Sequence, residues 1–154
     1  MTLTPPRIFK DKEQLPRNTI LVDVFENALR ELFAVTYPQH QNQQGKGYPG
    51  KLKKFVAENR KNDLWIYYPW LKKAIHIPSE ELYFILRTAR NRNIITSQEQ
   101  VNYRDVNVGV VGLSVGSTIL HALTRSGGPK NLKIADFDTI EISNLNRIHA
   151  TLGD

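Results

Sequence analysis

Two stretches of the chain carry side chains whose types and spacing could do chemistry. The first is Gly112-Leu113-Ser114-Val115-Gly116, inside VGVVGLSVGSTIL. It fits G-x-S-x-G letter for letter, the loop that exposes a nucleophilic serine on a sharp strand-to-helix turn. It fits equally a glycine-rich loop opening a helix, where backbone N–H groups and the helix dipole face a phosphate. The second stretch is ADFDTIEISNLNRIHA, which brings Asp136, Ser143, Asn144 and Arg147 close together in sequence.

Spacing separates the two readings of the loop. Asp136 follows Gly112 by 24 positions (136 − 112), near the roughly twenty between a dinucleotide loop and the carboxylate that bonds a ribose hydroxyl. A hydrolase would need an acid and then a histidine from later strands, and only 40 residues follow Ser114 (154 − 114). His121 falls on the surface of the expected helix, and His149 comes too soon. The expectation is therefore that Ser114 faces phosphate and forms no acyl-enzyme. After the acid, an amide and a guanidinium suit a ribose followed by a phosphate chain, because arginine offers a planar fork matched to phosphate oxygens. The same segment also reads as a polar loop opening a helix, with Ser143 or Asn144 as its cap.

The elements that must position these groups are legible around them. Residues 106–111 form an apolar run of the kind buried in a parallel sheet. Residues 117–125 carry Ile119, Leu120 and Leu123 at helical spacing. Gly127-Gly128-Pro129 stops that helix, and NLKIADFD reads as a second strand with Asp136 at its end. Strands 106–111 and 132–135 are expected to be parallel neighbours joined by a right-handed crossover through the helix.

Upstream, TILVDVFENALRELF from Thr19 sets Leu21, Val24, Phe25, Ala28, Leu29 and Leu32 at helical spacing. The proline- and glycine-rich run 37–50 is a loop. KLKKFVAENRKN reads as a short basic helix carrying Lys51, Lys53, Lys54, Arg60 and Lys61. Without interleaved aromatics this is a solvated face rather than a nucleic-acid grip. DLWIYYPWLKKAIHI is aromatic and β-branched and reads as extended, with Pro69 at a strand end and Trp65, Tyr67 and Trp70 in the core. His76 is a packing histidine. Ser79 caps a second helix, to about residue 90, and Ser97 with Gln100 has capping-box spacing for another.

Composition bounds the rest. The chain has 154 residues, no cysteine and a net charge of +6, so it holds no disulfide and no thiolate chemistry, which suits a cytoplasmic protein. The excess charge lies in residues 1–100, with 16 Lys+Arg against 10 Asp+Glu, whereas residues 101–154 hold 5 of each. The N-terminus has no apolar signal core, and no membrane association is expected.

DFDTIEISNLNR closely resembles the segment shared by the ThiF/MoeB/HesA family, the adenylating enzymes related to ubiquitin-activating enzymes. The resemblance covers residues 90–154, from RNRNII through TSQEQ to the asparagine-arginine segment, and fades upstream. GVVGLSVGSTIL with ADFDTIEISNLNRI looks most like the branch of ThiF-like proteins sometimes fused to nitroreductase-like domains. It implies an α/β fold: a mostly helical (α+β) region over residues 1–104, then from 105 to 154 the first β-α-β unit of a Rossmann-like parallel sheet, incomplete in this chain.

The activity implied is ATP-dependent adenylation of a carboxylate, usually the C-terminal glycine of a ubiquitin-like or sulfur-carrier protein, with Mg²⁺ and release of pyrophosphate. By matching position Asp136 holds the ATP ribose, and Asn144 and Arg147 contact its phosphates. Ser143, Leu145 and Asn146 belong to the same nucleotide-binding segment, with Gly112, Ser114 and Gly116 in the loop. Arg92 resembles an arginine that reaches across family dimers to the partner's ATP, which implies a homodimer and gives Arg92 and Arg147 catalytic roles. Ser114 stands where the family usually has glycine, so Ser114→Gly is expected to keep or slightly improve nucleotide binding. The family's magnesium aspartate and phosphate-contacting lysine lie beyond the matching point, so magnesium ligands are expected past residue 154. The chain is then a fragment of a longer adenylyltransferase, or is completed by another chain. The alternatives are a catalytically inactive ThiF-like module that binds a nucleotide or partner, and part of an oxidoreductase using NAD or FAD.

Overall fold

The computed structural model describes residues 4–40, 47–148 and 150. The chain divides into two compact units, residues 1–86 and 87–154. Among the described residues the fold is α+β, with five α-helices, a four-stranded mixed sheet in the first unit and a two-stranded parallel sheet in the second.

The first unit is built on a hairpin. Strands β3 (Asp63–Tyr68) and β4 (Lys73–Pro78) pair antiparallel from Asp63↔Pro78 to Tyr68↔Lys73. Pro69 opens the 3₁₀ turn between them, at a strand end where its missing N–H costs no ladder bond. Trp65 and Tyr67 alternate to one face and are buried with Ala74 against Phe9 and Leu15. Trp70 corrects the expectation of a third core aromatic: it lies in the turn, 47% exposed, edge-on to Tyr68 at 5.4 Å.

Two short strands complete this sheet in the order β1-β3-β4-β2. β1 (Arg7–Phe9) runs antiparallel to β3, and β2 (Ile20–Asp23) runs parallel to β4. β2 corrects the helix expected from Thr19, whose first turn is strand. Leu21 belongs to the helically spaced set, but the consecutive β-branched and aliphatic Ile20, Leu21 and Val22 suit a pleated ladder and find one along Lys73, Ala74 and Ile75. Leu21 and Val24 are accordingly exposed rather than core. Helix α1 (Phe25–Thr36) starts where Asp23 accepts the Phe25 N–H at 3.0 Å. Its Phe25, Leu29 and Leu32 form a core against Phe55 and Val56 of α2 (Tyr48–Asn59) and Leu82 and Leu86 of α3 (Glu80–Arg87). Lys51, Lys53 and Lys54 on α2, and Arg60 and Lys61 after it, are exposed, as a solvated face requires. His76 is a packing residue: its ring stacks on Trp65 at 4.5 Å and on Phe25 at 4.7 Å, with Nε2 2.8 Å from Asp63 Oδ2.

The second unit holds a 3₁₀ helix (Ala89–Asn93), α4 (Ser97–Asp105), and the unit β5 (Asn107–Val111), α5 (Leu113–Arg125), β6 (Asn131–Ala135). β5 and β6 are parallel neighbours, registered from Asn107↔Asn131 to Val111↔Ala135. The helix expected to run to residue 90 ends at Arg87. The capping box of α4 lies one residue earlier than the spacing suggested: Thr96 Oγ1 accepts from Glu99 N, and Thr96 N donates to the Glu99 carboxylate. Gln100 is buried instead, and its amide donates to the carbonyls of Ser126 and Gly127 and accepts from Asn91.

Candidate nucleotide cleft

The cleft starts at a glycine. Gly112 directly follows β5 and takes φ +86°, a backbone conformation that side chains rarely adopt, so the chain can turn at once into α5. Its N–H still bonds the Ala135 carbonyl at 2.9 Å, continuing the β5–β6 ladder by one step. Gly116 serves a different need. A Cβ there would stand 2.8 Å from Val110 Cγ1, so its hydrogen lets α5 lie close against β5. The helix therefore begins at Leu113, earlier than residue 117, and the serine of the loop is its second residue.

Asp136 emerges at the end of β6 and closes the turn. Leu113 N–H donates to its Oδ2 at 2.5 Å, and Asp138 N–H donates to its Oδ1 at 3.0 Å. These two bonds, Asp138's first, hold the carboxyl below its ordinary value despite a small opposing effect of burial. Each carboxylate oxygen keeps further lone-pair capacity, so the exposed group can still accept from a hydroxyl.

Arg147 comes from the other side, on the turn after a short 3₁₀ helix (Ile142–Asn144). That helix is set by Asn144, whose Oδ1 accepts from Glu141 N at 2.8 Å. Arg147 Nε donates to Ser114 Oγ at 2.5 Å, and its Nη1 donates to Asn146 Oδ1 at 2.9 Å and to the Ser143 carbonyl at 3.3 Å. Its own carbonyl accepts from Thr118 Oγ1 on α5 at 3.4 Å.

Between them lies a cleft of about 280 Å³, whose lining includes Leu113, Ser114, Asp136, Asn144 and Arg147. Of the other residues singled out by sequence, Ser143 and Asn146 bond Arg147 but, like Gly112, Gly116 and Leu145, are not in the cleft lining. Arg92 sits on the Ala89–Asn93 helix, exposed and outside the cleft. Ser117, His121, Asp138, Thr139 and Ile140 also line it and were not singled out. Ser114, Ser117 and His121 stand at i, i+3 and i+7 on α5, a polar face that helical periodicity would have exposed. His149 lies outside the described residues.

The residues present fit a nucleotide: a fixed carboxylate, an amide and a guanidinium around one concavity. Among the described residues no group of three or more His, Cys, Asp or Glu could hold a metal. No helix among them is long and apolar enough to cross a membrane.

A parallel β-α-β unit with a positive-φ glycine before its helix and an acid after its second strand is the arrangement of a Rossmann-like nucleotide-binding segment. Residues 88–152 match the model of the ThiF family. Relatives match about half of the chain. An uncharacterized protein of Mycobacterium tuberculosis (strain CDC 1551 / Oshkosh), MT1398, is 44% identical over 84 residues, covering 54% of this chain and 12% of that protein. Ubiquitin-like modifier-activating enzyme 5 of Dictyostelium discoideum is 35% identical over 85 residues, 52% of this chain and 22% of the enzyme. Its counterpart in Caenorhabditis briggsae is 36% identical over 78 residues, 50% and 17% respectively. The chain thus spans less than a quarter of the length of each. No solved structure gives a significant match.

Proposed function

We propose that the second unit is the nucleotide-binding part of an ATP-dependent adenylyltransferase that activates a carboxylate. The substrate is the C-terminus of a ubiquitin-like or sulfur-carrier protein. The observation that carries this reading is the junction of Asp136 with the start of α5: the acid is held by Leu113 N–H at 2.5 Å and shares its cleft with Asn144 and Arg147. A ribose hydroxyl donates to Asp136, and the phosphates meet Asn144, Arg147 and the first turn of α5, where the helix dipole favours an anion. Attack of the substrate carboxylate on the α-phosphorus forms the acyl adenylate and releases pyrophosphate. Arg92 acts across a homodimer on the partner's nucleotide, in the cytoplasm.

ATP–pyrophosphate exchange by the full-length protein, with ubiquitin-like and sulfur-carrier proteins as substrates, tests the reading. Asp136→Ala should weaken ATP binding roughly tenfold or more, from loss of a charge-assisted bond, and Arg147→Ala should lower exchange. Unchanged binding and exchange in both variants would sink it. Nucleotide binding with no exchange would instead identify an inactive binding module, and a preference for NAD or FAD would identify an oxidoreductase part.

A further inference from the structure

We propose that Ser114 is a positioning residue for Arg147: its hydroxyl oxygen, accepting from Nε at 2.5 Å, holds the guanidinium ready for the phosphates of a nucleotide. The inference rests on the nucleotide reading above, and it concerns a serine that the resemblance marks as a departure from glycine. The guanidinium's holders are Ser114 Oγ at Nε, with Asn146 Oδ1 and the Ser143 carbonyl at Nη1. All three are neutral oxygens. Among the described residues no carboxylate lies within ion-pair distance of Arg147, so the side chain is fixed in place by neutral acceptors alone. That combination is what an anion-binding arginine needs, because the ordering of a long side chain is met before the ligand arrives and no resident carboxylate has to be displaced.

Ser114 is suited to the task by position. It is half-buried in the first turn of α5, and its own carbonyl accepts from Ser117 Oγ at 2.8 Å, which ties the turn that carries it. The bond to Arg147 spans 33 positions of sequence, joining the glycine loop to the asparagine-arginine segment. A glycine at 114 would leave Nε without this acceptor. The expectation that Ser114→Gly keeps or improves nucleotide binding is therefore reversed.

The test uses the full-length protein, with ATP and adenosine as separate probes in calorimetry and melting temperature read alongside. Ser114→Ala and Ser114→Gly should raise the Kd for ATP roughly three- to tenfold, leave adenosine affinity and melting temperature unchanged, and be rescued by Ser114→Thr. In an Arg147→Ala background, Ser114→Ala should add nothing further. Equal losses for ATP and adenosine, additive losses in the double variant, or ATP affinity unchanged by Ser114→Ala would each overturn the assignment while leaving the nucleotide reading intact. Failure of the unaltered protein to bind ATP would overturn both.

Discussion

The two units solve the problem of burial differently. In the first, apolar side chains do the work: Leu29, Leu32, Phe33, Trp65 and Ala74 are buried under helices and a four-stranded sheet. In the second, the buried side chains include the polar Thr88 and Gln100, while Val111, Phe137 and Ile142 stand at least 78% exposed around a two-stranded sheet. A sheet of two strands is marginal by itself, so hydrogen bonds hold what packing does not. Asn91 and Gln100 converge on the Ser126 carbonyl, with Tyr103 on the Ser126 hydroxyl. The contrast teaches that the unit with the chemistry-bearing cleft is the one whose order depends on polar contacts.

The largest expected effect breaks the apolar side of this comparison. Leu29→Ala empties a fully buried site and should cost about 2–5 kcal/mol, read as loss of hydrogen-exchange protection over residues 20–78. Protection over residues 107–135 should hold, and its equal collapse would show that the units share one core.

On the polar side, Gly128→Ala places a Cβ 2.4 Å from the Leu123 carbonyl oxygen and 2.7 Å from the Tyr103 ring. Backbone cannot yield cheaply, so a cost of about 1–3 kcal/mol is expected from denaturant midpoints. Gln100→Ala should cost about 1–2 kcal/mol by leaving the Ser126 and Gly127 carbonyls short of donors. A neutral outcome there would mean that water replaces the amide and the network is dispensable.

The smallest effect is a pH dependence that separates the cleft from its surroundings. Asp136 has a carboxyl held below its ordinary value by the N–H groups of Asp138 and Leu113. Its contribution is therefore fully present above the ordinary carboxylate range and is lost as pH falls through the lowered folded value. Amide shifts of Leu113 and Asp138 should report one titration below that range, and Asp136→Asn should remove it from the acid limb of stability. A titration in the ordinary range would mean that the two bonds do not form in solution.

Much of the cleft could be read along the chain because its parts are local. The glycine before a helix, the acid after a strand and the two parallel strands follow from turn chemistry and short-range periodicity. Other features could not be read that way. Leu21 falls in a helically spaced set with the residues of α1, and only the ladder beside β4 makes Ile20 to Asp23 a strand. Trp70 looks like Trp65 in sequence, but one lies in the turn and the other under the sheet.

The sequence by itself determined the β5-α5-β6 unit, the placing of Asp136 and the ThiF resemblance, since each resides in a window of a few tens of residues with its own conformational rules. Tertiary structure alone decided that Gln100 is buried rather than a cap, that His121 borders the cleft, and that Arg147 is held by Ser114 across 33 positions. The physical reason is that a hydrogen bond between distant residues is fixed by how the intervening chain closes on itself, a property that no local pattern of side chains encodes.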